Sequence, residues 1–236
     1  MCVRYNTVDE RWERWVRRKG DWEAIKLPPK QLQMFPGRTG HIARVSESGK
    51  MELVEATWGL QPFWAKVPTF GARNCYNARV EGSENPKPGQ KPGIEHMASF
   101  REPFKKRRCL VPIASYYESA DMPEAKAAGR YVEVFPTEDE AFWMAGLWEE
   151  PTEHTGGLPT FTIVTTPSNG PLAEIHSRRL ARLDEDMMDA WLTPNAPLDL
   201  LKELVQPRDE EPIRLEVAEP PLRAKKKEAP SEETLF

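Results

Sequence analysis

Cysteine occupies the second position of the chain, in MCVRY. A small side chain there normally permits removal of Met1, which leaves Cys2 with a free α-amine of pKa about 7.7–8.0 beside a thiol of about 8.5. Two nucleophiles then share one carbon. The amine attacks an aldehyde to give a Schiff base, and the thiol closes on the same carbon to give a five-membered thiazolidine, which hydrolyses far less readily than the imine. Three further residues offer groups suited to that chemistry. Glu118 ends the apolar run CLVPIASYYE, where desolvation raises a carboxyl toward neutrality and suits it to proton transfer. His176 stands in PLAEIHSRR, beyond the strand-like TFTIVTT, where a sheet end gives way to a polar loop. Asn77, in CYNARVEG, presents an amide able to orient a substrate oxygen, and a turn residue tolerant of the left-handed region has the same appearance.

With 33 Lys and Arg against 37 Asp and Glu, the 236-residue chain has a formal net charge of −4. Any nucleic-acid site is therefore a local patch and not a property of the whole surface. The candidates are Lys105, Lys106, Arg107 and Arg108 in REPFKKRR, together with Arg4, Arg79 and Arg178 beside the four residues above. Converging, these segments would make a phosphate-binding groove. Trp58, with Phe63 and Trp64 in TWGLQPFW, is a candidate platform for unpaired bases, and at least one tryptophan of that segment is expected in the core. The RAKKK run at 223–227 is given no role. Cys2, Cys75 and Cys109 lack metal-ligand spacing and are odd in number, so neither a metal, a cofactor nor a disulfide framework is expected. No apolar run reaches the roughly 20 residues that span a bilayer, and the first residues lack a signal-peptide apolar segment; a cytoplasmic monomer is the expectation.

The elements that must position these groups are read from periodicity. DERWERWVRR places Trp12, Trp15 and Val16 on one helical face. Strands are expected from Met51 toward Pro62 and at CLVPIASYYES, RYVEVF, FWMAGLWEE, TFTIVTT and IRLEVAE. The 23 prolines argue against long helices, and SENPKPGQKPG at 83–93 reads as a surface loop. After Pro167 the pattern turns helical: PLAEIHSRRLARL, then DEDMMDAWL and LDLLKELV, capped by Asp184 and Asp199. Runs of strands without a βαβ alternation predict an α+β fold, an antiparallel sheet bent into a barrel-like core with short peripheral helices. Residues 1–219 are expected to form one domain and 220–236 a disordered tail.

Five segments in order, MCVRY, TWGLQPFWA, YNARVE, KKRRCLVPIASYYE and TFTIVTTPSN through EIHSRR, resemble the SOS response-associated peptidase (SRAP) family, across nearly the whole chain. The human member of that family shields abasic sites in single-stranded DNA. The resemblance implies that Cys2 is the N-terminal nucleophile, forming a thiazolidine with the ring-opened deoxyribose, and that Asn77, Glu118 and His176 are the remaining catalytic residues. It also implies an α+β fold with a positively charged cleft, self-processing at the N-terminus and weak lyase activity. Three positions depart from the family pattern: Val3 replaces a glycine, Ser119 a tryptophan after the catalytic glutamate, and SRRLA an arginine-Met-Pro run. The residues leave two alternatives open, a cysteine peptidase acting on peptides and a non-covalent single-strand binding module.

Overall fold

The computed structural model describes residues 2–18, 21–137, 140–207 and 212–219. Twelve strands among these residues form one sheet: β1 (Tyr5–Thr7), β2 (Trp22–Ala24), β3 (Gln33–Met34), β4 (Thr39–Val45), β5 (Met51–Trp58), β6 (Asn77–Arg79), β7 (Arg108–Ser119), β8 (Tyr131–Pro136), β9 (Phe142–Glu149), β10 (Thr160–Pro167), β11 (Arg178–Leu180) and β12 (Ile213–Val217). The helices are short: α1 (Glu13–Arg17), α2 (Phe70–Asn74), α3 (Arg101–Lys106), α4 (Pro123–Ala127), α5 (Gly170–Ala173), α6 (Glu185–Leu192) and α7 (Leu198–Leu204). The expected tail at 220–236 lies outside the described residues.

The unalternating apolar run at CLVPIASYYES becomes β7, buried along its whole length except Ser119, as a strand covered on both faces must be. It is the hub of the sheet. β7 pairs with β9, β9 with β10, β10 with β5, β5 with β4, and β4 returns to β7 where Ala43 faces Leu110. The circuit makes the barrel-like core that the strand pattern predicts. Period-two alternation then sorts the side chains into two cores. Cys109, Val111 and Ile113 of β7 face inward with Trp58, Phe142, Met144, Phe161 and Ile163. Leu110 faces outward with Trp143, Ala145, Leu147 and Val164, beneath Trp15, α6 and α7.

Two sequence expectations need correction. The sheet is mixed and not purely antiparallel, because β10 runs parallel to both β5 and β6, and β2 runs parallel to β5. Between Pro167 and α6 the chain is helical only over Gly170–Ala173; Arg178–Leu180 is captured by β10, with Pro167 opposite Arg178, so ladder hydrogen bonds override a helix-like pattern. Asp184 does stand at the N-cap of α6, whereas α7 is capped by Pro197 and Asp199 lies within its first turn.

One irregularity in β7 decides which residues reach the inner core. β1 pairs antiparallel with it, Asn6 opposite Ser115 but Thr7 opposite Ile113, so Ala114 is an extra residue in a β-bulge. The bulge reverses the facing of the residues beyond it. Before it the odd residues Cys109, Val111 and Ile113 point inward; after it Tyr116 does, and Glu118 opposite the inward Val132 of β8. Ser115 and Tyr117 are sent to the outer face, where Asn6 Nδ2 donates to Ser115 Oγ (2.8 Å), Tyr117 OH (3.0 Å) and Glu133 Oε1 (2.8 Å).

Candidate active site

Because β1 runs antiparallel to β7, with Tyr5 opposite Tyr116 and Tyr117 N–H donating to Arg4 O, the chain start is delivered beside the end of β7. Cys2 is fully buried there beside Glu118, whose charge bears on its thiol, and its Sγ–H donates to Arg4 O at 3.2 Å. Asn77 opens β6, whose parallel register with β10 sets it beside the inward Ile163. From that place its Nδ2 donates to the Cys2 carbonyl at 2.7 Å, while its Oδ1 is buried with no hydrogen-bond partner among the described residues.

His176 lies in the turn between α5 and β11, its main-chain N–H donating to Leu172 O. The Arg178 N–H donates to its Nδ1 at 3.0 Å, so the proton of the neutral ring resides on Nε2. That nitrogen is 3.6 Å from Glu118 Oε2 and 3.5 Å from Asp121 Oδ2. The four candidate catalytic residues therefore meet in one pocket, and Asp121, three residues past Glu118, joins them. Nothing in its periodicity marks Asp121; its nearness to Ser177 and His176 exists only once β11 has folded back on β10.

Burial sets the protonation states. Glu118, 1% exposed, is pushed up to about 8, so it holds a proton near neutrality and serves as an acid. His176, 3% exposed, is pushed down to about 4 by the same desolvation and is neutral. Burial, and then the nearby Glu118, raise the Cys2 thiol far above its ordinary value, so sulfur needs a base before it can attack.

The proposed nucleic-acid residues divide into those near the pocket and those far from it. Arg178, next to His176, bonds Thr165 O at 2.7 Å and Glu81 at 3.0 Å; Arg79 pairs with Glu84 at 2.9 Å; Arg4 lies 3.7 Å above the Tyr117 ring. Lys105, Lys106, Arg107 and Arg108 sit at the opposite end of β7, separated from Glu118 by nearly the whole 12-residue strand, on the order of 30 Å at ~3.3 Å per residue. Lys106 pairs with Glu102 and Arg107 with Glu149. Arg108 is buried, donating to Phe104 O, Lys105 O, Trp191 O and Thr193 O; it satisfies the orphan carbonyls at the ends of α3 and α6 and has no face for phosphate. Trp58 is likewise unavailable to a base: it is fully buried, donates Nε1–H to Tyr76 O at 2.7 Å and packs edge-on against Tyr5. The exposed rings of that segment are Phe63 and Trp64.

The sequence model of the SOS response associated peptidase (SRAP) family matches residues 1–219. The chain is 33% identical over 169 residues to the abasic site processing protein YoqW of Bacillus subtilis (strain 168), covering 70% of this chain and 68% of that protein. It is 31% identical over 170 residues to the abasic site processing protein YoaM of the same organism, with coverages of 71% and 69%. A more distant relative, the abasic site processing protein HMCES of Pongo abelii, is 27% identical over 184 residues, and the match spans about half of its length, 48%. Two solved structures share the fold, each with a TM-score of 0.72: one from Bacteroides thetaiotaomicron at 22% identity, covering 92% of both chains, and one from Bordetella bronchiseptica at 18%, covering 92% of this chain and 100% of that one. The match along residues 1–219, on which all four pocket residues fall, establishes that the chain belongs to the SRAP family.

Proposed function

We propose that this protein captures abasic sites in single-stranded DNA by forming a thiazolidine through Cys2 after Met1 has been removed. The observation that carries the reading is that Cys2, its carbonyl fixed by Asn77 Nδ2 at 2.7 Å, is buried beside Glu118, whose carboxylate lies 3.6 Å from His176 Nε2. The proton of the C1′ hydroxyl passes to the ring oxygen by way of His176 Nε2, which gives its own proton to that oxygen and takes the hydroxyl's, so the sugar opens to the aldehyde and His176 ends neutral as it began. The amine adds to C1′, and Glu118 protonates the resulting hydroxyl, which leaves as water and yields an iminium. Glu118, now a carboxylate, accepts the proton of the Cys2 thiol while sulfur bonds C1′ and the iminium electron pair returns to nitrogen. One water is lost overall and Glu118 ends as it began. Asn77 fixes the Cys2 carbonyl, and its buried Oδ1, without a hydrogen-bond partner among the described residues, is an acceptor for the α-amine or a sugar hydroxyl. Loss of the C2′ proton from the iminium with departure of the 3′ phosphate gives the accompanying weak lyase activity. Arg4, Arg79 and Arg178 take the flanking phosphates, and covalency replaces high reversible affinity in a protein of net charge −4.

Denaturing electrophoresis after incubation with an abasic single-stranded oligonucleotide tests this. A heat-stable shifted band is expected from the natural chain, none with an intact oligonucleotide, and none from Cys2→Ala, which still binds DNA reversibly. A persistent band in Cys2→Ala excludes the scheme, and catalytic turnover of peptides without any band favours a peptidase instead.

A further inference from the structure

Glu118, Cys2 and His176 are almost wholly enclosed, yet the reaction moves protons among them. Asp121 is the carboxylate that links this enclosure to solvent. Its side chain is 40% exposed, and its Oδ2 is 3.5 Å from His176 Nε2, on the same edge of the ring that faces Glu118. It does not lie there loosely. The Ser177 N–H donates to Asp121 Oδ1 at 2.7 Å and the Ser177 hydroxyl to Oδ2 at 2.5 Å, while the Asp121 and Met122 N–H groups donate to Ile175 O. The loop after β7 and the turn that carries His176 are thereby fastened at three consecutive residues, 175, 176 and 177. Partial burial opposes ionisation of Asp121, but the two Ser177 bonds hold its carboxyl below its ordinary range, so it is an anion where Glu118 is an acid.

We infer that Asp121, clamped by Ser177, is a positioning residue for His176: it fixes the Nε2 edge of the imidazole against Glu118 and supplies the charge through which the closed pocket exchanges protons with solvent. The inference rests on the crosslinking reading for its functional consequence, not for its electrostatic one. The titratable and charged groups of the described residues that face His176 are Glu118 from β7, Asp121 from the following loop and Arg178 from β11; of these, Asp121 is a carboxylate with substantial access to water.

Asp121→Asn keeps the shape and an acceptor for Ser177 but removes the charge. Followed by NMR, the His176 ring should titrate about one pH unit lower in this variant than in the natural chain, because an adjacent anion favours the imidazolium. The crosslinking rate should fall about tenfold, with reversible binding of intact oligonucleotide unchanged, and Asp121→Glu should restore most of the rate. A His176 titration that does not move in Asp121→Asn, together with a rate within twofold of the natural chain, overturns the inference. Should that variant fail to fold, Ser177→Ala, which loosens the clamp but keeps the carboxylate, is expected to shift the titration in the same direction by less; no shift again overturns it. If the natural chain forms no crosslink at all, the crosslinking reading falls, and the titration alone still decides the role of Asp121.

Discussion

Beyond the bulge at Ala114, the two faces of β7 carry similar numbers of polar groups and use them in opposite ways. On the outer face Asn6 ties Ser115, Tyr117 and Glu133 together, and Arg4 covers the Tyr117 ring. The product of that network is a fixed position for β1. On the inner face Glu118 is desolvated until it prefers its proton, His176 until it prefers to lose one, and Cys2 until its thiol resists ionisation. The contrast shows where stability has been exchanged for chemistry: polar groups satisfied by one another build structure, whereas polar groups desolvated side by side are poised to trade protons.

The most drastic challenge to this contrast is to delete Ala114. Without the bulge the facing of Tyr116 and Glu118 exchanges with that of Ser115 and Tyr117, or the first half of the strand turns inside out. A loss of more than about 4 kcal/mol, or of folding altogether, is expected in denaturant unfolding. A folded, crosslinking deletion variant would show that the bulge does not set the site.

Next in size is Glu118→Gln, which should slow crosslinking about 10²–10⁴-fold. Its stability effect has a definite sign. The Glu118 pKa is raised from 4.5 to about 8, so its stabilising contribution is complete below pH 4.5 and is lost as pH rises through 8. His176, lowered from 6.5 to about 4, contributes above pH 6.5 and loses that contribution as pH falls through 4. Melting temperatures of the natural chain relative to Glu118→Gln should therefore decline between about pH 5 and 8; a difference independent of pH would mean that Glu118 ionises freely in the fold.

Asn6→Ala probes the contrast from the other face. It leaves Ser115, Tyr117 and Glu133 short of a donor and should cost about 1–3 kcal/mol, without moving the pH profile of crosslinking. A shifted profile would mean that the two faces are electrostatically coupled.

The smallest effect concerns the arginines. Glu84 sits on Arg79, and it is held there because the loop neck is closed by Gly93 N–H donating to Glu81 O and by Gly82, whose φ of +91° admits no ordinary side chain. Glu84 is 66% exposed, so the pair is weak. Glu84→Gln should tighten reversible oligonucleotide binding by about two- to threefold at low salt and by less at high salt, measured by fluorescence anisotropy. Weaker binding would show that Glu84 supports the groove and does not compete for it.

How much of the fold and the pocket is legible in the sequence varies with the range of the interaction that decides it. Cys2 declares itself by position, and Glu118 by closing an apolar run, because both signals are local. That Glu118 faces inward is not local: it depends on one extra residue opposite β1. The basic run REPFKKRR reads as a phosphate site because adjacent letters suggest adjacent charges, but Arg108 turns inward to serve carbonyls of a helix more than eighty residues away. Trp58 and Trp64 look equivalent in TWGLQPFW, yet the first ends β5 on the inner face and the second follows the strand on an exposed loop. Arg178–Leu180 reads as helical because a helix needs only its own residues to be read, whereas its true partner, β10, is visible only in the fold.

Capture of an abasic site by a freed Cys2 is decided by the intact mass of the purified protein before and after mixing with an abasic oligonucleotide. Thiazolidine formation predicts a starting mass lacking Met1 and, after mixing, a single species heavier by the oligonucleotide less one water. A chain that retains Met1 and yet acquires the oligonucleotide, or a processed chain that acquires nothing, would contradict it.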